Sequence, residues 1–65
     1  MKLVINGQER VLECGNVSEL VSKLNLNKDI VAIELNKKIV HRENFDNTKL
    51  NDNDKLEIVK VVGGG

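Results

Sequence analysis

The chain has 65 residues, with ten Lys and Arg against ten Asp and Glu, one cysteine, one Phe, and neither Trp nor Tyr. A single domain of this size buries only about 60% of the surface its unfolded chain exposes, which leaves little room for an enclosed active site. Balanced charge gives no field for nucleic acid or an anionic membrane, missing aromatics remove base-stacking platforms, and one thiol excludes an internal disulfide.

The predicted elements follow in chain order. Lys2–Ile5 is a short β-rich run, and Asn6-Gly7 after it is the strongest local signal for a tight hairpin. Glu9–Cys14 is the expected return strand, and adjacent Val11 and Leu12 leave open which of the two faces inward. Asn16 is placed to cap a helix, with Glu19 three residues on to reach back. Val17, Leu20, Val21 and Leu24 then fall at i, i+3, i+4 and i+7, one apolar stripe. Asn25-Leu-Asn27 ends the helix, because Asn tolerates the left-handed conformation found there.

Ile30–Leu35 reads as a strand buried over most of its length, and Asn36-Lys-Lys38 turns it into Ile39-Val40. His41–Leu50 has no clear period and is expected to wrap the edge with one helical turn, anchored by Phe45 and Leu50. Asn51-Asp-Asn-Asp54 is a turn cluster, and Lys55–Val62 is the last strand. Two hairpins on one helix make an α+β domain. In the last strand, alternation directs Leu56 and Ile58 to the helix and Val59 and Val61 to the opposite face.

Gly63-Gly64-Gly65 runs straight out of that strand. With nothing beyond it to connect, turning the chain is not its purpose. Side-chain-free residues thread a narrow channel and present the Gly65 carboxylate to a partner, whereas the plain alternative is a frayed end. No apolar run approaches the roughly 20 residues of a membrane span, and no export signal is present, so with its single thiol the chain is expected in the cytoplasm. Cys14 has no basic pair or His near it in sequence and reads as structural filler. His41 has no partner at metal-ligand spacing, and Asp52 with Asp54 reads as turn capping. Lys37, Lys38 and Arg42 fit either a solvated tip or a surface meeting an acidic partner.

Six stretches together carry a resemblance over essentially the whole length. They are Ile5-Asn6-Gly7, Val17-Ser-Glu-Leu20, Val31-Ala-Ile-Glu-Leu-Asn36, Ile39-Val40 with Arg42, Asp52–Ile58 and Val62-Gly-Gly-Gly65. On these the chain resembles the sulfur-carrier family of thiamine biosynthesis, small ubiquitin-like β-grasp proteins. The resemblance implies a β-grasp domain over 1–62, a mixed sheet of four to five strands on one main helix with first and last strands parallel. A flexible glycine tail, 63–65, follows. It departs from the family pattern at Lys37 and Asn53, where Gly is common, and at His41, where Pro is common.

Functionally, the resemblance implies a co-substrate rather than an enzyme, with no catalytic residue, metal or cofactor of its own. Gly65 is the group adenylated, with ATP and magnesium used by an E1-like adenylyltransferase. Sulfur from a cysteine desulfurase route converts the acyl-adenylate to a thiocarboxylate, and thiazole synthase receives it. Gly63 and Gly64 thread the partner's active site. Alternation, rather than the resemblance, offers Val59 and Val61, with Val62, as the partner interface, against the alternative of ordinary sheet composition or a sheet covered on both sides. Alternatives are a carrier for molybdopterin or another pathway, a ubiquitin-like modifier joined to lysines, and an interaction module with an inert end.

Overall fold

The computed structural model describes residues 1–61. Asn6 and Gly7 turn the first hairpin with φ of 50° and 82°, the left-handed pair that a type I′ turn requires. They join β1 (Lys2–Ile5) to β2 (Gln8–Val11), paired antiparallel from Lys2 opposite Val11 to Ile5 opposite Gln8. The return strand is therefore shorter than the expected Glu9–Cys14. Its partner runs out: Leu12 N–H already bonds the carbonyl of Met1, and beyond it no residue of β1 remains to pair. Val11 faces outward and is 78% exposed, whereas Leu12 packs against the core.

Asn16 caps the helix α1 (Val17–Lys23), its side chain accepting from the Glu19 N–H at 2.8 Å. Glu19 reaches back as expected, one residue further than the standard box, and accepts from Gly15 N–H at 2.7 Å. At the other end Asn25 sits at φ 56°, with Asn25 N–H on Ser22 O and Leu26 N–H on Val21 O. These two bonds are a Schellman motif, which satisfies carbonyls the helix leaves free.

β3 (Val31–Leu35) and β4 (Lys38–Val40) form the second hairpin, and β5 (Lys55–Lys60) completes a sheet of order β2-β1-β5-β3-β4. β5 is parallel to β1 and antiparallel to β3, the arrangement implied by the resemblance. Between β4 and β5 a 3₁₀ helix, Arg42–Asn47, carries Phe45 into the core, and Leu50 follows. Val17 N–H bonds Thr48 O and Leu50 N–H bonds Gly15 O, so this connection closes over the start of α1.

Among the described residues the core is aliphatic apart from Phe45 and Cys14: Leu3, Ile5, Val17, Leu20, Val21, Ile33, Leu50 and Leu56 complete it. The helix and the 3₁₀ segment cover one face of the sheet only. That corrects the expectation for Ile30–Leu35. Ile30 lies before the strand and is exposed, Ala32 and Glu34 face solvent, and Ile33 alone is fully buried. A sheet covered on one side buries every second residue, whatever the hydrophobicity of those between.

Both residues that stand where the resemblance expects a glycine sit where glycine has its advantage. Lys37 has φ 73° and Asn53 φ 71°, both left-handed, whereas His41 at φ −75° lies within the range a proline ring imposes. A left-handed non-glycine residue costs about 1–2 kcal/mol, and more for a lysine than for an Asn, whose short polar side chain bonds locally. Lys37→Gly is expected to stabilise the domain by about 1 kcal/mol and raise Tm by roughly 4–8 °C. Thermal unfolding checks it, with Asn36→Gly as the opposing control. Asn36 is also left-handed, but its side chain accepts from Lys55 N–H at 3.0 Å and donates to Asp54 Oδ1 at 3.1 Å, bonds that glycine loses.

Candidate functional site

The site candidate is the end of β5, because the glycines follow it. β5 is the central strand, between β1 and β3, so its path is held from both sides along most of its length. Asn36 holds its start, with Asn36 N–H donating to Lys55 O at 2.7 Å. Near its end Val61 N–H donates to Ile30 O at 2.6 Å. Leu56 is buried and Ile58 half-buried, both on the helix side. Val59 and Val61 lie on the uncovered side at 58% and 52% exposure, as alternation predicts.

Val59 stands opposite Ala32 in the antiparallel pairing, and the next outward pair is Glu57 opposite Glu34. The outward face thus changes from acidic to apolar along β5, its apolar part nearest the exit of the chain. Val62, the third residue of the expected partner interface, and the tail residues Gly63, Gly64 and Gly65 lie outside the described residues.

Of the other residues singled out in the sequence, Asp52 and Asp54 lie in the turn before β5, whereas Arg42 bonds Asp29, the neighbour of the Ile30 that holds Val61. Cys14 is 5% exposed within the core. Burial pushes its thiol up from its ordinary pKa, against the lowering effect of the Lys23 charge. A raised pKa leaves less thiolate at a given pH, and thiolate is the reactive form. Alkylation of the folded protein at about pH 8 is therefore expected to leave Cys14 unmodified for as long as the domain stays folded, while urea exposes it to rapid reaction. Peptide mass spectrometry of the two samples checks this.

His41 is exposed and makes no cap with its side chain. Asp54 closes its own turn, accepting from Asn51 N–H at 2.7 Å. Asp52 instead bonds across to the first strand, accepting from Lys2 N–H at 2.6 Å, so its role is a tether between turn and sheet. Arg42 pairs with Asp29 at 2.6 Å, both 60% exposed, an ion pair of the kind that adds little stability. Among the described residues no group of three or more His, Cys, Asp or Glu is placed to hold a metal, and no helix is long and apolar enough to cross a membrane.

Sequence reading missed one participant. The side chain of Asn6, read only as a turn former, reaches β5 and bonds both backbone groups of Ile58.

A mixed sheet with parallel first and last strands, wrapped on one helix and closed by a 3₁₀ segment, defines a ubiquitin-like β-grasp protein. The crystal structure of the thiamine biosynthesis protein ThiS from Geobacter metallireducens superposes with a TM-score of 0.85 at 36% identity, each chain covered fully. The family model described as the ThiS family matches residues 3–65. The chain belongs to the ThiS family.

Among curated relatives, the sulfur carrier protein ThiS of Bacillus subtilis is 38% identical over 53 residues, covering 82% of this chain and 80% of that protein. A thiazole synthase of Paramagnetospirillum magneticum is 44% identical over the full chain, which spans only 20% of that protein's length.

Proposed function

We propose that this protein carries sulfur for thiamine biosynthesis as a thiocarboxylate on Gly65. The observation that carries the reading is the family match, which extends through residue 65 and so takes in the glycine end. Likeness to a sulfur carrier over four-fifths of that carrier's length agrees with it.

The chemistry follows from what a carboxylate lacks. It is a poor electrophile, so an E1-like adenylyltransferase lets a Gly65 oxygen attack the α-phosphorus of magnesium-bound ATP, and pyrophosphate leaves. A cysteine persulfide, charged by a cysteine desulfurase, then displaces AMP and forms an acyl disulfide. A second thiol of the donor cleaves the sulfur–sulfur bond. The thiocarboxylate is released and the donor is left as a disulfide. ATP, magnesium and the reacting thiols belong to the partners, and this chain contributes the carboxylate and the surface that presents it.

Thiazole synthase is the sulfur acceptor in this reading. Two proteins named thiazole synthase, from Paramagnetospirillum magneticum and Magnetococcus marinus, each contain a stretch similar to this whole chain within one-fifth of their length. Joining two partners in one polypeptide replaces an encounter by a high effective concentration, which favours pairs that work together. Val59 and Val61, apolar and exposed beside the exit of the chain, fit the docking surface.

Mass spectrometry of the C-terminal peptide tests the reading, after incubation with ATP, magnesium, an adenylating partner and a persulfide donor. Oxygen-for-sulfur exchange must map to Gly65 and be trapped by a thiol alkylator. Whole-protein mass does not suffice, because oxidation of Met1 or Cys14 mimics the gain. A free carboxylate in the presence of a demonstrably active partner overturns the proposal, and isopeptide conjugates to lysine favour a protein modifier instead.

A further inference from the structure

β5 continues past the strand that pairs with it on the β1 side. The ladder there is regular at first, with Val4 N–H donating to Asp54 O and Asn6 N–H to Leu56 O, both at 2.9 Å. In a parallel ladder the next rung needs two groups from the β1 side. One is a carbonyl for Ile58 N–H, and the other is an N–H, from residue 8, for Ile58 O. Gln8 has by then turned back into β2 and cannot supply it.

The carboxamide of Asn6 fills both places. Its Oδ1 accepts from Ile58 N–H at 2.7 Å, and its Nδ2 donates to Ile58 O at 3.1 Å. A primary amide carries a donor and an acceptor side by side, as a peptide strand does. Asn alone combines that pair with ready tolerance of φ 50°, the left-handed angle the turn imposes here. Without this rung, the residues from Ile58 to Val61 are held by β3 and Ile30 alone.

We propose that Asn6 is a positioning residue for the carrier's C-terminus: its carboxamide completes the sheet at Ile58 and so sets the direction in which the chain leaves Val61 toward Gly65. The role rests on reading Gly65 as the activated group. A strand end held on both sides has fewer conformations to lose when the following residues enter a partner's channel, which favours docking without touching the chemistry.

Two variants test it. Asn6→Gly keeps the left-handed backbone at no steric cost and removes the carboxamide. Asn6→Asp keeps the acceptor but sets an oxygen against Ile58 O. The readouts are amide exchange of the free protein by NMR, and adenylation kinetics with the purified cognate E1-like enzyme, ATP and magnesium. For both variants we expect Ile58 N–H exchange about tenfold faster than in the wild type. KM for the carrier should rise by about threefold to tenfold with kcat unchanged, since only docking is impaired.

Unchanged exchange at Ile58 overturns the clamp. Faster exchange with unchanged KM overturns the positioning role, leaving Asn6 a structural residue. If one variant fails to fold, the other decides. A wild-type protein that is not adenylated by a competent enzyme overturns the proposed function and the positioning role with it, while the exchange measurement still decides the clamp separately.

Discussion

Deletion of Gly64 and Gly65 is expected to abolish thiocarboxylate formation while leaving the domain folded. Two extended residues span about 7 Å, so the new terminal carboxylate on Gly63 stops that far short of the phosphorus it must attack. Reacting atoms need to approach within about 3–3.5 Å, and a misplacement of about 1 Å already costs roughly a hundredfold. The loss should therefore exceed about two orders of magnitude. Stability should change little, because among the described residues the last buried core residue is Leu56 and the last backbone bond is made by Val61. Peptide mass spectrometry for loading and thermal unfolding for the fold separate the two effects. An unchanged yield of thiocarboxylate on the shortened chain defeats the carrier reading.

Leu20→Ala is expected to produce the largest loss of stability. Leu20 is fully buried on the single helix, where it meets the sheet. Alanine is the better helix former, so any destabilisation comes from packing rather than propensity. Truncating a buried leucine costs about 2–5 kcal/mol, in lost transfer free energy and the cavity left behind. A domain of this length has about 3–10 kcal/mol in total, at roughly 0.05–0.15 kcal/mol per residue. A fall in Tm of about 10–30 °C is expected, with partial unfolding at ambient temperature. Val11→Ala is the control: on the exposed side of an edge strand it should change stability by less than about 0.5 kcal/mol. Thermal or urea unfolding of the two variants decides. Equal effects would mean that the helix-to-sheet contact is not what holds the fold.

The elements legible in the sequence are those whose causes are local. Asn6-Gly7 specifies its turn because the required backbone angles belong to those two residues themselves. Asn16 and Glu19 mark the helix start because the groups they satisfy lie within four residues. Alternation along the expected strand Lys55–Val62 placed Val59 and Val61 outward for the same reason, although the strand itself ends at Lys60. Parallel pairing of β1 with β5 has no such signal, since Val4 and Lys55 are far apart in the chain, and it came from family resemblance.

Composition and order alone determined a small α+β fold with a largely aliphatic core and singled out Gly63-Gly64-Gly65 as its unusual stretch. Tertiary structure decided what covers what. Ile30–Leu35 is apolar enough to suit burial on both sides, yet only one face of the sheet is roofed, so Ile33 alone is enclosed. Cys14 lies past the end of its strand and is nonetheless in the core, where the next residue is tied to the closing segment by the Leu50 N–H on Gly15 O. The bonds of Asn6 to Ile58 exist because β1 ends before β5 does. The relative length of two strands brought together from opposite ends of a chain is a property of their pairing, and neither strand carries it by itself.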